Sequence, residues 1–405
     1  MNWRKEFGTD NLKNMEYVLV VMVVFSVIGI FFDRSAAFLV TGLFAAYYIV
    51  SQIYDKKIGE RLELENPRAT VRLFPGDEAV LPFVLQNKSI FPMVNGEFQF
   101  YTGPAIKPAD FVKAADWYRN QYSLPLTVMG KRKTAIDLPI TAEHRGTARM
   151  KGISYTFPHL FNFWKVTLTY SAQFYTEFVV FPSLLPVRGF EEVVHMMQGK
   201  QWSLFSPFED VQLPVGTREY HYSDPFHRIN WKASAKTQTL QTNVYEKNVD
   251  MGLVFIVNIS VADNSHLTKL SKHLERSLSF CAYLCKIATE KGIPYQLFIN
   301  ARKPGNVPYV HLPEGEGKTH YMQALETMAR IHRQSMVVPY HKMIHHIGRH
   351  LRKPTAIVFI GGIPDGTMEL TKQWKHQQKA MFRVAPDDDG AVMKRLAKDV
   401  VHHAE

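Results

Sequence analysis

The sequence predicts a multi-domain chain: an N-terminal transmembrane α-hairpin over residues 1–58, a β-sandwich-like domain over 59–186, a connecting segment over 187–250 and an α/β domain over 251–405. Three observations predict it. Two apolar runs fill most of the first 54 residues, a period-two pattern punctuated by Pro and Gly follows them, and strand-like and helix-like segments alternate after Gly252. At 405 residues and 46% hydrophobic, the chain has enough apolar side chains for at least two cores.

The hairpin comes first. Tyr17 to Phe32 and Ser35 to Tyr54 are apolar runs separated only by Asp33 and Arg34. The first is slightly short for a bilayer core and Met15 extends it; no small-residue cleavage site follows, so a signal peptide is disfavoured. Arg4, Lys5 and Lys13 flank one outer end and Lys56, Lys57 and Arg61 the other, against one Arg in the turn. The excess of positive charge predicts a two-pass protein whose termini and soluble domains are cytoplasmic. The chain has two cysteines, Cys281 and Cys285, both on the apolar face of one predicted helix, which fits a reducing compartment and excludes a disulfide framework.

From Arg61 to Pro186, short alternating segments such as "ATVRLF", "AVLPFVLQN", "ARMKGISYTF" and "FYTEFVVFP" predict strands; Glu143 and His144 sit at a turn and carry no catalytic pattern. Beyond Gly252, "GLVFIVN" predicts a strand, Asn264 or Ser265 a helix cap, Gly292 the helix end and "IPYQLFIN" the next strand. "PYVHL", "TAIVFIGG" and "KAMFRVAP" are further strands, with helices over "THYMQALETMARIHR" and "HKMIHHIGRHLR". An open, largely parallel sheet follows, whose ligand sites would lie beyond the strand ends at Asn258 to Asp263 and Gly361 to Asp365.

Several motifs fail on inspection. "GEGKTH" ends like a phosphate-binding loop, but Leu312 stands where its leading glycine belongs. His341 with His345, and His346 with His350, have helical metal-ligand spacing, yet the pairs flank the apolar stripe of Met343, Ile344, Ile347 and Leu351 on opposite sides. Charge is more telling. Lys318, Arg330, Arg333, Lys342, Arg349, Arg352 and Lys353 are opposed by Glu326 alone and supply six of the chain's net charge of +11. This predicts a basic face suited to an acidic protein or anionic lipid. The stretch "REYHYSDPFHRINWKASAK", Arg218 to Lys236, mixes aromatic and basic side chains, but no nucleic-acid-binding motif frames it, and nucleic acid is not expected as a partner.

That stretch carries a resemblance. Arg218, Tyr220, Asp224, Arg228, Ile229, Trp231, Ser234 and Ala235 fall in the spacing of the DUF58 signature of bacterial proteins, with Ser223 where Gly is usual; upstream, "EHRGTARMKGISYTFPHLFNFW" is similar to the family's Arg-Gly turn and its aromatic segment. The resemblance implies a membrane hairpin, a β-domain and a von Willebrand factor A-like α/β domain in the bacterial cell membrane. It also implies a MoxR-type AAA+ ATPase as partner, sometimes with a transglutaminase-like membrane protein, and an adaptor or chaperone-like role without catalysis. The A-like metal motif reads Asn258-Ile259-Ser260 here, with Asp263 and Asp365 as further oxygen donors; lacking its anionic anchor, it is a degenerate site. No cofactor is expected, Mg²⁺ being the one candidate. The signature itself reads as a structural junction or a docking surface, and the alternative is a hydrolase or ligand-binding site around Asp224, His227 and Arg228.

Overall fold

The computed structural model describes residues 2–7, 11–33, 35–108, 113–116, 120–162, 164–198, 210–246, 252–262, 268–305, 307–351, 355–364, 367, 374, 380–387 and 390–396. The chain divides into two units, Met1–Pro182 and Ser183–Glu405.

The first unit opens with a strand, Trp3–Phe7, then two helices, α1 (Asn11–Phe31) and α2 (Ser35–Lys57). α2 is long and apolar enough to cross a membrane; the apolar stretch Glu16–Phe31 of α1 is shorter. Both carry large apolar side chains open to their surroundings, among them Val23, Phe31, Leu39, Leu43 and Ile49. In water such a surface would be costly.

The rest of the unit is β-rich. A six-stranded sheet includes Trp3–Phe7 as its edge, paired antiparallel with Lys165–Tyr170; a four-stranded and a three-stranded sheet complete it. Alternate residues face inwards along strands such as Glu78–Asn87, where Leu81, Phe83 and Leu85 are buried. Phe83 meets Phe98 and Phe100 of the larger sheet at ring separations of 5.3 and 6.1 Å, so the two sheets share one aromatic core.

The second unit is α/β. Its seven-stranded sheet runs in the order Val187–Arg188, Gly390–Arg395, Ala380–Asp387, Thr355–Ile360, Gly252–Val257, Tyr295–Arg302, Tyr309–Gly315. The four strands from Ala380–Asp387 to Tyr295–Arg302 are mutually parallel. The strand Gly390–Arg395, absent from the sequence expectation, returns antiparallel beside Ala380–Asp387. Gly252–Val257 and Thr355–Ile360 are buried at every position, which explains their unbroken apolar runs.

Among the described residues, α1 and α2 are followed in chain order by α3 (Phe190–Gln198), α4 (Trp231–Thr237), α5 (Leu274–Glu290), α6 (Gly317–Ala329) and α7 (Tyr340–His350). Met343, Ile344 and Ile347 of α7 pack in one cluster with Val254, Ile256, Ile357 and Phe359 of the sheet. The expected cap of α5 is corrected. Thr268–Leu270 pairs as a short strand with Ser260–Ala262, the Ser271 hydroxyl accepts from His273 N, and α5 starts only at Leu274. Asn264 and Ser265 lie outside the described residues. Gly292 does close the helix: at φ +64° it lets Ile293 N–H bond back to the Ala288 carbonyl.

Candidate functional site: an exposed aromatic surface on a hairpin-held helix

The signature is built on two antiparallel strands, Asp210–Glu219 and Gln241–Glu246, with Arg218 opposite Thr242. Between them the chain makes a turn, a short 3₁₀ helix (Phe226–Arg228) and α4. Asp224 organises the turn. One carboxylate oxygen accepts from Arg218 at 2.6 Å and the other from the His221 amide at 3.0 Å, while Asp224 N–H returns a bond to the His221 carbonyl. The hydrogen bond from Arg218, and then that from His221 N–H, hold the Asp224 carboxyl below its ordinary range.

α4 is fastened to the hairpin by a second set of bonds. Asn230 caps it, its Oδ1 accepting from Ala233 N at 2.9 Å while its Nδ2 donates to Asn243 Oδ1 at 2.8 Å. Ser234 donates its hydroxyl proton to the Asn230 carbonyl and accepts from Gln241 N–H, both at 2.8 Å. Ile229 is 5% exposed, and Gln238 ends α4 in the left-handed region at φ +58°. These residues fold the segment. Arg218, Asp224, Ile229 and Ser234 of the signature therefore have internal duties.

The aromatic side chains are placed differently. Tyr222 is fully exposed, Phe226 is 68% and Trp231 60% exposed, and the last two meet edge to face with ring centroids 5.8 Å apart. Leu240 and Val244 of the same hairpin are also exposed. Tyr220 and Arg228 are half-buried, whereas His227 and Ala235 are open. The sequence does carry a signal for Asn230, because an Asn just before a helical "WKASAK" is itself a capping signal. Phe226 and Tyr222 carry no such signal, because sequence cannot say which aromatics a short insertion leaves outside.

The other predicted positions separate. Asn258 and Ser260 lie where the central strands end, and Asn300, which the sequence reading passed over, joins them. Asn258 Oδ1 accepts from Ser260 N at 3.0 Å, Ser260 Oγ at 2.7 Å and Asn300 Nδ2 at 2.9 Å, and Asn258 Nδ2 donates to the Gly362 carbonyl. Asn300 Oδ1 takes the Ile259 N–H at 2.8 Å. Asp263 and Asp365 lie outside the described residues. Among the described residues no group of three or more His, Cys, Asp or Glu could hold a metal.

Of the predicted basic face, Arg330 bonds Glu326 at 2.8 Å and Arg333 lies 3.7 Å from Glu275. Lys342 and Arg349 are exposed on α7, and Arg352 and Lys353 lie outside the described residues. On the same helix His341 and His345 are exposed, while His346 bonds the Tyr309 hydroxyl at 2.6 Å.

A family model described as "Protein of unknown function DUF58" matches residues 216–382, from the hairpin through most of the α/β sheet. No curated protein matches the chain. Solved structures with partial likeness include the seventh ScaB type I cohesin of Pseudobacteroides cellulosolvens, at 13% identity over 29% of this chain and 91% of that one, with a TM-score of 0.20. A non-cellulosomal cohesin from the archaeon Archaeoglobus fulgidus is 9% identical over 34% of this chain and 97% of that one, also at 0.20. At those TM-scores neither likeness bears on fold or function.

Proposed function

From the match of residues 216–382 to the DUF58 family model, we propose a membrane-anchored cytoplasmic adaptor that docks a partner through the exposed face of its signature hairpin. One observation carries this reading: Arg218 and Asp224 bond each other and Ser234 is bonded to Asn230 and Gln241, while Tyr222, Phe226 and Trp231 stay outside. Exposed aromatics on a pre-ordered frame suit protein docking, because they bury large area with little ordering cost.

The anchor is two-pass in this reading, with α1 and α2 crossing the bacterial cell membrane as a hairpin. Their exposed apolar surface and the basic residues at the outer ends support it. The α/β unit is read as a von Willebrand factor A-like domain, supported by its parallel central strands and by the polar cluster where they end. The partner implied by the family resemblance is a MoxR-type AAA+ ATPase, with a transglutaminase-like membrane protein as a further member.

The reading is non-enzymatic. Both Asp224 oxygens are engaged and its carboxyl is held low, so it is a poor proton acceptor for His227 in the hydrolase alternative. The test is co-purification from membranes with a MoxR-type ATPase, with and without ATP. Association that Trp231→Ala and Phe226→Ala weaken while membrane insertion persists is the expected result; an ATPase that never associates in either nucleotide state overturns it.

A further inference from the structure

We propose that the first unit does not merely hang from α2 but seats one rim in the anionic membrane interface, inserting the adjoining loops around Ile90 and Met129. The proposal rests on the reading of α2 as a membrane span.

The cytoplasmic end of α2 is clamped. Lys5, on the edge strand Trp3–Phe7, donates to the carbonyls of Asp55, Lys56 and Ile58, the last at 3.0 Å. His159 donates from Nε2 to Asp55 Oδ1 at 2.6 Å; its Nδ1 accepts from Phe161 N–H at 3.2 Å, which fixes that tautomer. Tyr54, fully buried, meets His159, Phe91 and Phe161 edge to face at 4.5, 5.2 and 5.4 Å. A helix gripped by the Lys5 ammonium, the His159–Asp55 hydrogen bond and ring contacts at Tyr54 leaves the sheets at a set angle, so the bilayer that α2 crosses has a set level on the unit.

Contacts along the helix give that level. Phe161 touches Tyr54 and also Tyr47, at 6.2 Å, two turns or about 10 Å towards the bilayer. The apolar run of α2 ends at Tyr54, ahead of Asp55, Lys56 and Lys57. Phe161 therefore lies on the apolar side of the boundary, and Phe91 lies at it.

Ile90 is the neighbour of Phe91 and is 60% exposed; Met129 is 48% exposed. Their loops touch: Lys131 N–H bonds the Ser89 carbonyl at 2.8 Å, and a Cβ on Gly130 would fall 2.2 Å from the Ile90 carbonyl oxygen. Two open apolar side chains on joined loops, level with the end of a membrane helix, form an insertion tip and not scattered surface residues. The same loops expose Lys88, Lys131 and Arg132, with Lys88 bonded to Glu63 at 2.6 Å. That is the composition of an interface-seated loop, apolar tip inwards and cations at the phosphates.

The test uses the full chain in nanodiscs of phosphatidylcholine with or without phosphatidylglycerol. An environment-sensitive thiol probe is placed by Ile90→Cys, Met129→Cys, Val80→Cys or Leu43→Cys; Cys281 and Cys285 are buried, and the unsubstituted chain reports any labelling of them. Val80 is exposed on the strand that leads to Ile90, seven residues or about 23 Å before that strand ends at Asn87. Shallow spin-labelled lipid should quench the probes at 90 and 129 several-fold more than that at 80. The effect should be stronger with phosphatidylglycerol and reduced by Lys131→Glu with Arg132→Glu. Equal quenching at 80, 90 and 129 while position 43 is quenched overturns the proposal and leaves the anchor standing. A blue shift at 90 without lipid quenching would place protein there and also overturns it. An unquenched position 43 refutes the anchor and this seat together.

Discussion

Asn300 donates from Nδ2 to Asn258 Oδ1 at 2.9 Å, joining the C-terminal ends of two parallel strands inside the α/β unit. Asn300 is fully buried and also holds the Ile259 amide, so Asn300→Ala leaves that N–H without its acceptor. A buried unsatisfied amide costs about 1–3 kcal/mol. Chemical denaturation followed by tryptophan fluorescence should show an unfolding free energy lowered by at least that much, and Asn300→Asp, which sets an acceptor oxygen against Asn258 Oδ1 and the Val338 carbonyl, should not restore it.

The same pair bears on metal binding. Asn258 Oδ1 already accepts from three donors, and a carbonyl oxygen so engaged has no lone pair to offer Mg²⁺. Added Mg²⁺ at millimolar levels should leave the melting temperature of the protein unchanged and give no saturable binding heat. A saturable, chelator-reversible stabilisation would show that the network opens to take an ion.

Gly361 sits beside this cluster at φ +94°, and a Cβ there would fall 2.3 Å from the Asn258 carbonyl oxygen. The positive φ alone costs a non-glycine residue about 1–3 kcal/mol, and the clash with backbone adds to it. Gly361→Ala should therefore be recovered mainly as aggregated or proteolysed protein, whereas Gly362→Ala, with open space at its Cβ, should be recovered normally. Comparing soluble yield and protease resistance of the two variants checks it.

How far these features could be read in advance differs by type. The paired apolar runs, the period-two β region and the alternating α/β segment all repeat over many residues, and burial of one face imposes just such repetition. The strand Gly390–Arg395 carries little signal in sequence because its "GAVMKR" is short, opens on Gly and ends in two cations. The start of α5 was misplaced because Leu270 fits a helical face and a strand equally well, and pairing with Ser260 decided it. Site residues were least legible where roles depend on contacts far apart in sequence. Asn300 ends a buried apolar strand, a position where a polar side chain needs partners, but Asn258 lies 42 residues away.

Asp224 gives a pH dependence whose sign can be worked out. Its folded pKa lies below the ordinary value, so its contribution to the turn is fully present above about pH 4 and is lost as pH falls through that lower value. The turn should hold at pH 5, with the Arg218 guanidinium protons still protected and the Asp224 carboxyl carbon still reporting an ionised group by NMR. Arg218→Gln should move the Asp224 titration upwards towards the ordinary value. An unchanged titration would mean that Arg218 contributes nothing to it.

Cys281 and Cys285 should be silent towards thiol reagents in the folded protein. Both are fully buried on α5, and burial, with Cys285 beside it, pushes the Cys281 thiol well above its ordinary pKa. Maleimide labelling followed by intact-mass measurement should show no adduct natively and two after unfolding. A native adduct would place α5 away from the sheet.

The division of labour within the signature predicts two classes of variant. Ile229, Asn230 and Ser234 hold α4 to the hairpin, so Ser234→Ala leaves the Gln241 amide without its hydroxyl acceptor and should loosen the segment. Trp231 touches Phe226 and is otherwise open, so Trp231→Ala removes docking area with little effect on folding. For a central anchor of an interface the expected loss is about 2 kcal/mol or more, a fall of roughly 30-fold in affinity. Amide exchange across residues 216–246 separates the cases: faster in Ser234→Ala, unchanged in Trp231→Ala, with partner capture lost in both. If Trp231→Ala also accelerates exchange throughout the hairpin, the aromatic face belongs to the frame, and the signature is a structural junction, not a docking surface.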